Sequence, residues 1–136
     1  MIATLLATAV FALVFLIGQA VQAQAKAKPW PVPAADKSVK AAVKLTDASV
    51  IANGKDLWAK NCKSCHGAKG LGDGPKAVSL KTLPGDFTTA EFQGATEGEL
   101  FYRLNKGRDE MPAYEKKIPE ASDRWALVAY IKTLKK

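Results

Sequence analysis

The chain has 136 residues, 48% of them hydrophobic and 24% charged, with a formal net charge of +7. That length suits one domain with accessory segments and excludes two full domains, while the apolar content excludes global disorder. No self-similar period is present, which excludes a repeat architecture.

Residues 2–17, "IATLLATAVFALVFLI", carry no charge, and "GQAVQAQAK" follows them. Val21-Gln22-Ala23 and Ala23-Gln24-Ala25 both fit a small-x-Ala cleavage pattern. We read residues 1–25 as a secretory signal peptide cut near Ala23 or Ala25. The alternative is a retained N-terminal anchor. The n-region has no Lys or Arg, and the apolar stretch approaches the roughly 17–25 residues that span a bilayer. On either reading the rest of the chain is exported, and the periplasm is the expected compartment. A membrane is a partner only if this segment is retained. Residues 26–46 follow as a linker or arm, with Pro29, Pro31 and Pro33 alternating with Trp30 and Val32. Such a run favours extended, polyproline-like backbone. A spacer is the preferred reading; an arm whose Trp30 packs on the domain or on a partner competes with it.

The compact domain is expected over residues 47–136. Its first helix covers "DASVIANGKDLWAKNC", with Asp47 as N-cap and Val50, Ile51, Leu57, Trp58 and Cys62 at helical spacing. Gly54 lies inside it, and a mid-helix glycine costs about 1 kcal/mol relative to alanine, so it wants a packing reason. The helix runs into "NCKSCHG", which holds both cysteines, Cys62 and Cys65, and the single histidine, His66. C-x-x-C-H is the c-type haem attachment pattern. Two thiols a few residues apart add to the two vinyl groups of one haem, and the next residue is carried under the ring, where an imidazole nitrogen can bind iron. Zinc wants about four ligands, and no second Cys/His pair exists. A dithiol redox site usually sits in a βαβ setting, and a plain disulfide leaves the adjacent histidine unexplained.

After the motif comes "GAKGLGDGPKAVSLKTLPGDF", rich in glycine, with no alternating strand pattern and at most one helical turn near Lys76–Leu80. A domain of this size with so long a loop is under-cored unless a cofactor fills the middle. A second helix is predicted over "TEGELFYRLNKG", where Thr96 and Glu99 form a capping box and Gly107 is the stop. Met111 follows in "RDEMPAY", 45 residues past His66. It has no apolar periodicity around it and is the candidate sixth iron ligand, since the chain has no second histidine. Methionine there raises the reduction potential relative to harder ligands. A third helix is predicted over "SDRWALVAYIKTLKK", capped by Ser122, with a wide apolar arc from Trp125 to Leu134.

Together these residues resemble the class I c-type cytochromes, small monohaem electron carriers, over roughly residues 47–136. Gly54 and Trp58 ahead of "CKSCHG", "GLGDGP" after it, Met111–Pro112 and "RWALVAYIKTL" carry the resemblance. It implies an all-α cytochrome c fold, with three main helices and long loops wrapped around one covalently bound haem. It implies haem c on Cys62 and Cys65, with iron between His66 and Met111. It implies a glycine–aromatic crossing of first and last helices, here Gly54 against Leu127 and Tyr130. It also suggests that the Pro75 carbonyl accepts the proton of the other nitrogen of His66. The "GxGDGP…LPxDFT" wording from Gly70 to Thr88 looks like a bacterial subgroup.

The expected function is electron transfer between redox partner proteins, free or as a haem subunit of a larger oxidoreductase, and not catalysis. The alternative is a haem-based sensor or enzyme with an open or labile sixth site. Lys63, Lys69, Lys76, Lys81, Lys106, Lys116 and Lys117 are spread along the chain. Around a haem edge they would steer acidic partners; scattered evenly, they only solubilise. No nucleic-acid recognition motif is present.

Overall fold

The computed structural model describes residues 29–136, and the signal or anchor segment at 1–25 lies outside them. The helices in chain order are α1 (Ala34–Lys37), α2 (Ala48–Asn61), α3 (Lys63–His66), α4 (Ala90–Gln93), α5 (Glu97–Lys106) and α6 (Ala121–Thr133), with a 3-10 turn at Ala77–Ser79. Among the described residues there is no strand, only an isolated antiparallel bridge between Arg108 and Met111. The all-α expectation holds, with α2, α5 and α6 as the three long helices.

The starts of α2 and α5 follow from their caps. The Asp47 carboxylate accepts the backbone N–H groups of Ser49 at 2.8 Å and Val50 at 3.3 Å. Thr96 and Glu99 bond reciprocally, at 3.1 Å from the Glu99 N–H to the hydroxyl and 2.8 Å from the Thr96 N–H to the carboxylate. These bonds satisfy donors that the first turn of a helix leaves orphaned. Gly107 ends α5 at φ +62°.

The start of α6 differs from expectation. Ser122 is inside the helix, and Glu120 takes the cap position without a side-chain bond. The cause is Arg124, which is buried and donates through Nη1 to the carbonyls of Glu115, Ile118 and Pro119. This one guanidinium gathers the chain entering the helix and fixes where the helix begins. Asp123 in the first turn accepts from Asn53 Nδ2 at 2.8 Å, tying α6 to α2.

Every residue from Arg124 to Ala129 is buried, so α6 is covered on several sides, with α2 and α5 packed on it. A helix apolar most of the way round belongs in the centre of a fold. Gly54 is the close approach between α2 and α6. A Cβ there would strike the Ala126 carbonyl and lie 2.9 Å from Tyr130 Cβ. The expected partner Tyr130 is present, but the nearest contact is the Ala126 backbone and not Leu127. Phe101 of α5 stacks on Trp125 with centroids 3.8 Å apart.

The arm is not a spacer. Val32 is buried, and α1 lies on α5. Thr96 Oγ1 donates to the Lys37 carbonyl at 2.9 Å, the Ala41 N–H donates to Glu97 at 3.1 Å, and Lys37 pairs with Glu99 at 3.2 Å. Proline sets the extended backbone, but polar groups on α5, some 60 residues away, hold it in place.

Candidate haem site

The attachment turn is built by two consecutive helices. Cys62 caps α2, its N–H bonding to the Trp58 carbonyl at 2.9 Å. The single turn of α3 then brings the His66 N–H to the Cys62 carbonyl at 2.9 Å. Residues three and four apart on a helix share a face, so Cys65 and His66 lie on the Cys62 side of this turn. Trp58 Nε1 donates to the Gly67 carbonyl at 3.1 Å, which fixes the exit of the turn.

The glycine-rich loop folds back over the same turn. The N–H groups of Gly72, Gly74 and Lys76 bond to the carbonyls of His66, Cys65 and Ser64 at 3.0, 3.2 and 2.9 Å. At Gly74 a Cβ would lie 2.5 Å from the Ser64 oxygen and 2.6 Å from the Cys65 carbonyl carbon, so only glycine passes there.

Cys62 and Cys65 are not joined in a disulfide. Burial, with a smaller contribution from Cys65, pushes the Cys62 thiol up to about 12. That opposes the lowered pKa that activates a dithiol redox cysteine. Burial also lowers His66 to about 4, which leaves its imidazole neutral at neutral pH, the state that binds a metal. The ring lies 4.6 Å from Phe87 and 5.7 Å from Trp58 by centroids. His66 Nδ1 is buried without a hydrogen-bond partner, so the expected donation to the Pro75 carbonyl is not made. The loop spends its hydrogen bonds on the backbone of the turn and leaves the ring edge unserved.

Met111 stands on a separate segment. It is half-buried and packs against the core cluster to which Cys62 belongs. Its N–H and carbonyl pair with the carbonyl and N–H of Arg108, both at 2.9 Å. Asp109 between them takes φ +51°, a region that Asp tolerates better than most side chains. The Glu110 carboxylate accepts the N–H groups of Lys81 at 2.7 Å and Thr82 at 3.1 Å. It thus latches the Met111 segment to the loop that follows the attachment turn.

Tyr114, which the sequence reading did not single out, completes this link. Its buried hydroxyl donates to the Asn61 carbonyl at 2.8 Å, next to the attachment turn. Burial and the neighbouring thiols push its phenol up to about 12. The available signal was one aromatic residue in the charged stretch "RDEMPAYEKK", three positions past Met111.

Residues 49–131 match the family model described as cytochrome c oxidase, cbb3-type, subunit III. The chain belongs to the class I c-type cytochromes. The cytochrome is 33% identical over 75 residues to cytochrome c6 of Cladophora glomerata, covering 54% of this chain and 78% of that protein. It is similar, at 28% identity and a TM-score of 0.61, to a chain of the Kuenenia stuttgartiensis reducing HAO-like protein complex. That match covers 69% of the cytochrome and 50% of the other chain, so the cytochrome spans half of it. A further similar structure is the KustC0563 c-type cytochrome, at 28% identity and a TM-score of 0.51, covering 61% of this chain and 98% of that one.

Members of this family carry haem c, an iron porphyrin held covalently, and the cytochrome has the two cysteines for it. The residues present fit the group. Two cysteines not paired with each other and a neutral imidazole share one turn. Among the described residues no helix is long and apolar enough to cross a membrane.

Proposed function

We propose that the cytochrome is an exported carrier of single electrons between redox proteins, with a haem held by Cys62 and Cys65 and ligated by His66 and Met111. When bound, haem supplies the one-electron Fe(III)/Fe(II) couple. Cys62 and Cys65 would hold the haem through thioethers, each S–H adding across one vinyl group with no other reactant consumed. His66, kept neutral by its partly buried setting, would supply an imidazole nitrogen to the iron. Met111 would supply a thioether sulfur, a ligand that favours the reduced state. With both ligands in place the iron would carry electrons and bind no substrate.

The observation that carries this reading is the attachment turn itself, which presents two thiols and one neutral imidazole on a single face. The Met111 segment supports it. It is held by the Arg108–Met111 bridge, by Glu110 bonded to the Lys81 and Thr82 amides, and by Tyr114 bonded to the Asn61 carbonyl.

Docking is assigned to the surface around the attachment turn. Lys63, Lys69, Lys76 and Lys81 are exposed there, and Val78 is 91% exposed among them. Such a surface steers acidic partners at a rate that falls with ionic strength. Similarity to a chain of a reducing HAO-like complex supports the subunit form of the role beside the free form.

The test is Met111→Ala in haem-matured protein. Covalent haem is retained, the ferrous form gains carbon monoxide binding, and the potential falls. An unchanged spectrum and potential refute Met111 as ligand.

A further inference from the structure

The arm at residues 29–45 has a contact that electron carriage does not require. It returns to the segment that bears Met111. Arg108 Nη1 donates to the Pro29 carbonyl at 2.9 Å. The Arg108 guanidinium carbon lies 4.4 Å from the centre of the Trp30 ring, and that of Arg103 lies 6.0 Å from it. At these distances a cation is drawn to the face of an indole. Arg108 also approaches the Asp109 carboxylate at 3.6 Å. Its backbone is the partner of Met111 in the two-bond bridge. Thus one residue takes hold of the arm with its side chain and of the candidate ligand with its main chain.

The arm has its own fixed points away from Arg108. Val32 is buried, α1 bonds to Thr96 through the Lys37 carbonyl, and Lys37 pairs with Glu99. Proline at 29, 31 and 33 stiffens the stretch between. A stiff segment anchored at one end and pressed on Arg108 at the other acts as a brace. The bridge it braces is short, with a positive φ at Asp109 in its turn. Glu110 already ties this turn to Lys81 and Thr82, and the arm gives the Arg108 side of it a second support.

We infer that Trp30 and Arg108 form a clamp by which the N-terminal arm holds the Met111 segment in its ligating position and so sets how readily the sixth ligand leaves. The inference rests on the His66/Met111 reading. Trp30 and Arg108 are positioning residues here; neither touches iron.

The experiment uses the full haem-matured chain. Two quantities are read: the rate of cyanide binding to the ferric protein, and hydrogen exchange at the Arg108 and Met111 amides. Trp30→Ala raises both by about two- to fivefold, the loss expected for a partly exposed cation–π contact. Trp30→Phe keeps an aromatic face and restores both toward wild type. Asn53→Ala, which cuts the Asn53–Asp123 tie between α2 and α6 and lies outside both the arm and the Met111 segment, leaves both unchanged. If Trp30→Ala matches wild type, or Asn53→Ala accelerates binding equally, the clamp is refuted. Met111→Ala separates the two claims. If it leaves cyanide binding and the spectrum unchanged, the ligand reading fails and takes the clamp with it. If it opens the site while Trp30→Ala has no effect, the clamp alone fails.

Discussion

Gly54→Ala is the substitution in which the fold's geometry makes its sharpest demand. Helix propensity alone favours the change by about 1 kcal/mol. The crossing with α6 opposes it. The new Cβ would sit 2.6 Å from the Ala126 carbonyl carbon and 2.9 Å from Tyr130 Cβ, and closer still to the Ala126 oxygen. Comfortable carbon contacts are about 3.5–4.0 Å, so the two helices must part by about 1 Å. Overpacking of this kind costs about 1–3 kcal/mol, and the obstacle here is backbone, which cannot swing aside. We place the packing cost at or slightly beyond the top of that range and the net loss at about 2 kcal/mol. For a domain of this size each kcal/mol is worth about 4–8 °C, so the midpoint should fall by about 8–16 °C. The assay is thermal unfolding of the haem-loaded protein followed by circular dichroism. Ala52→Gly on the exposed side of α2 is the control and should cost about 1 kcal/mol through propensity alone. A Gly54→Ala protein as stable as wild type, or more stable, would refute the crossing.

Tyr114→Phe removes the hydroxyl that reaches Asn61 at 2.8 Å. A loss of about 1 kcal/mol is expected in a denaturant titration with covalent haem retained, and no loss would show that the link carries no load. Cys62→Ala leaves one thiol on the attachment turn, so at most one thioether forms; undiminished haem on a denaturing gel contradicts the attachment scheme. Glu99 gives a pH dependence. Its carboxyl is held below its ordinary 4.5, chiefly by the Thr96 N–H and further by Lys37. A depressed acid contributes stability that is present above pH 4.5 and lost as pH falls through its lower folded value. Wild type should therefore lose more stability between pH 6 and pH 3 than Glu99→Gln, and equal losses would remove the capping box from the account.

What was legible in the sequence was local. Asp47, the Thr96–Glu99 pair and Gly107 act within one turn of the elements they define, and C-x-x-C-H places its groups by chain spacing alone. What was not legible depends on distant partners. The Gly54 crossing was expected, but its nearest contact is one residue off, because the phase between two helices is set by their packing. Ser122 is a good cap on paper, yet Arg124 gathers three carbonyls and moves the helix start. The proline-rich arm is extended as its composition says, while the groups that dock it lie on α5. Glu110 has no sequence signal of its own; its role depends on Lys81 and Thr82, some 28 residues away, being brought to it. The Pro75 bond to His66 was suggested by resemblance, and the loop instead bonds the backbone of the attachment turn.

The central claim is that the cytochrome holds a haem with both axial positions filled. It is tested most directly by absorption spectra of the haem-matured protein, oxidised and reduced, with and without carbon monoxide. A low-spin spectrum in both states, unmoved by the gas, is the predicted result. A clear shift of the reduced spectrum would contradict a filled His66/Met111 site and move the protein from carrier to sensor or enzyme.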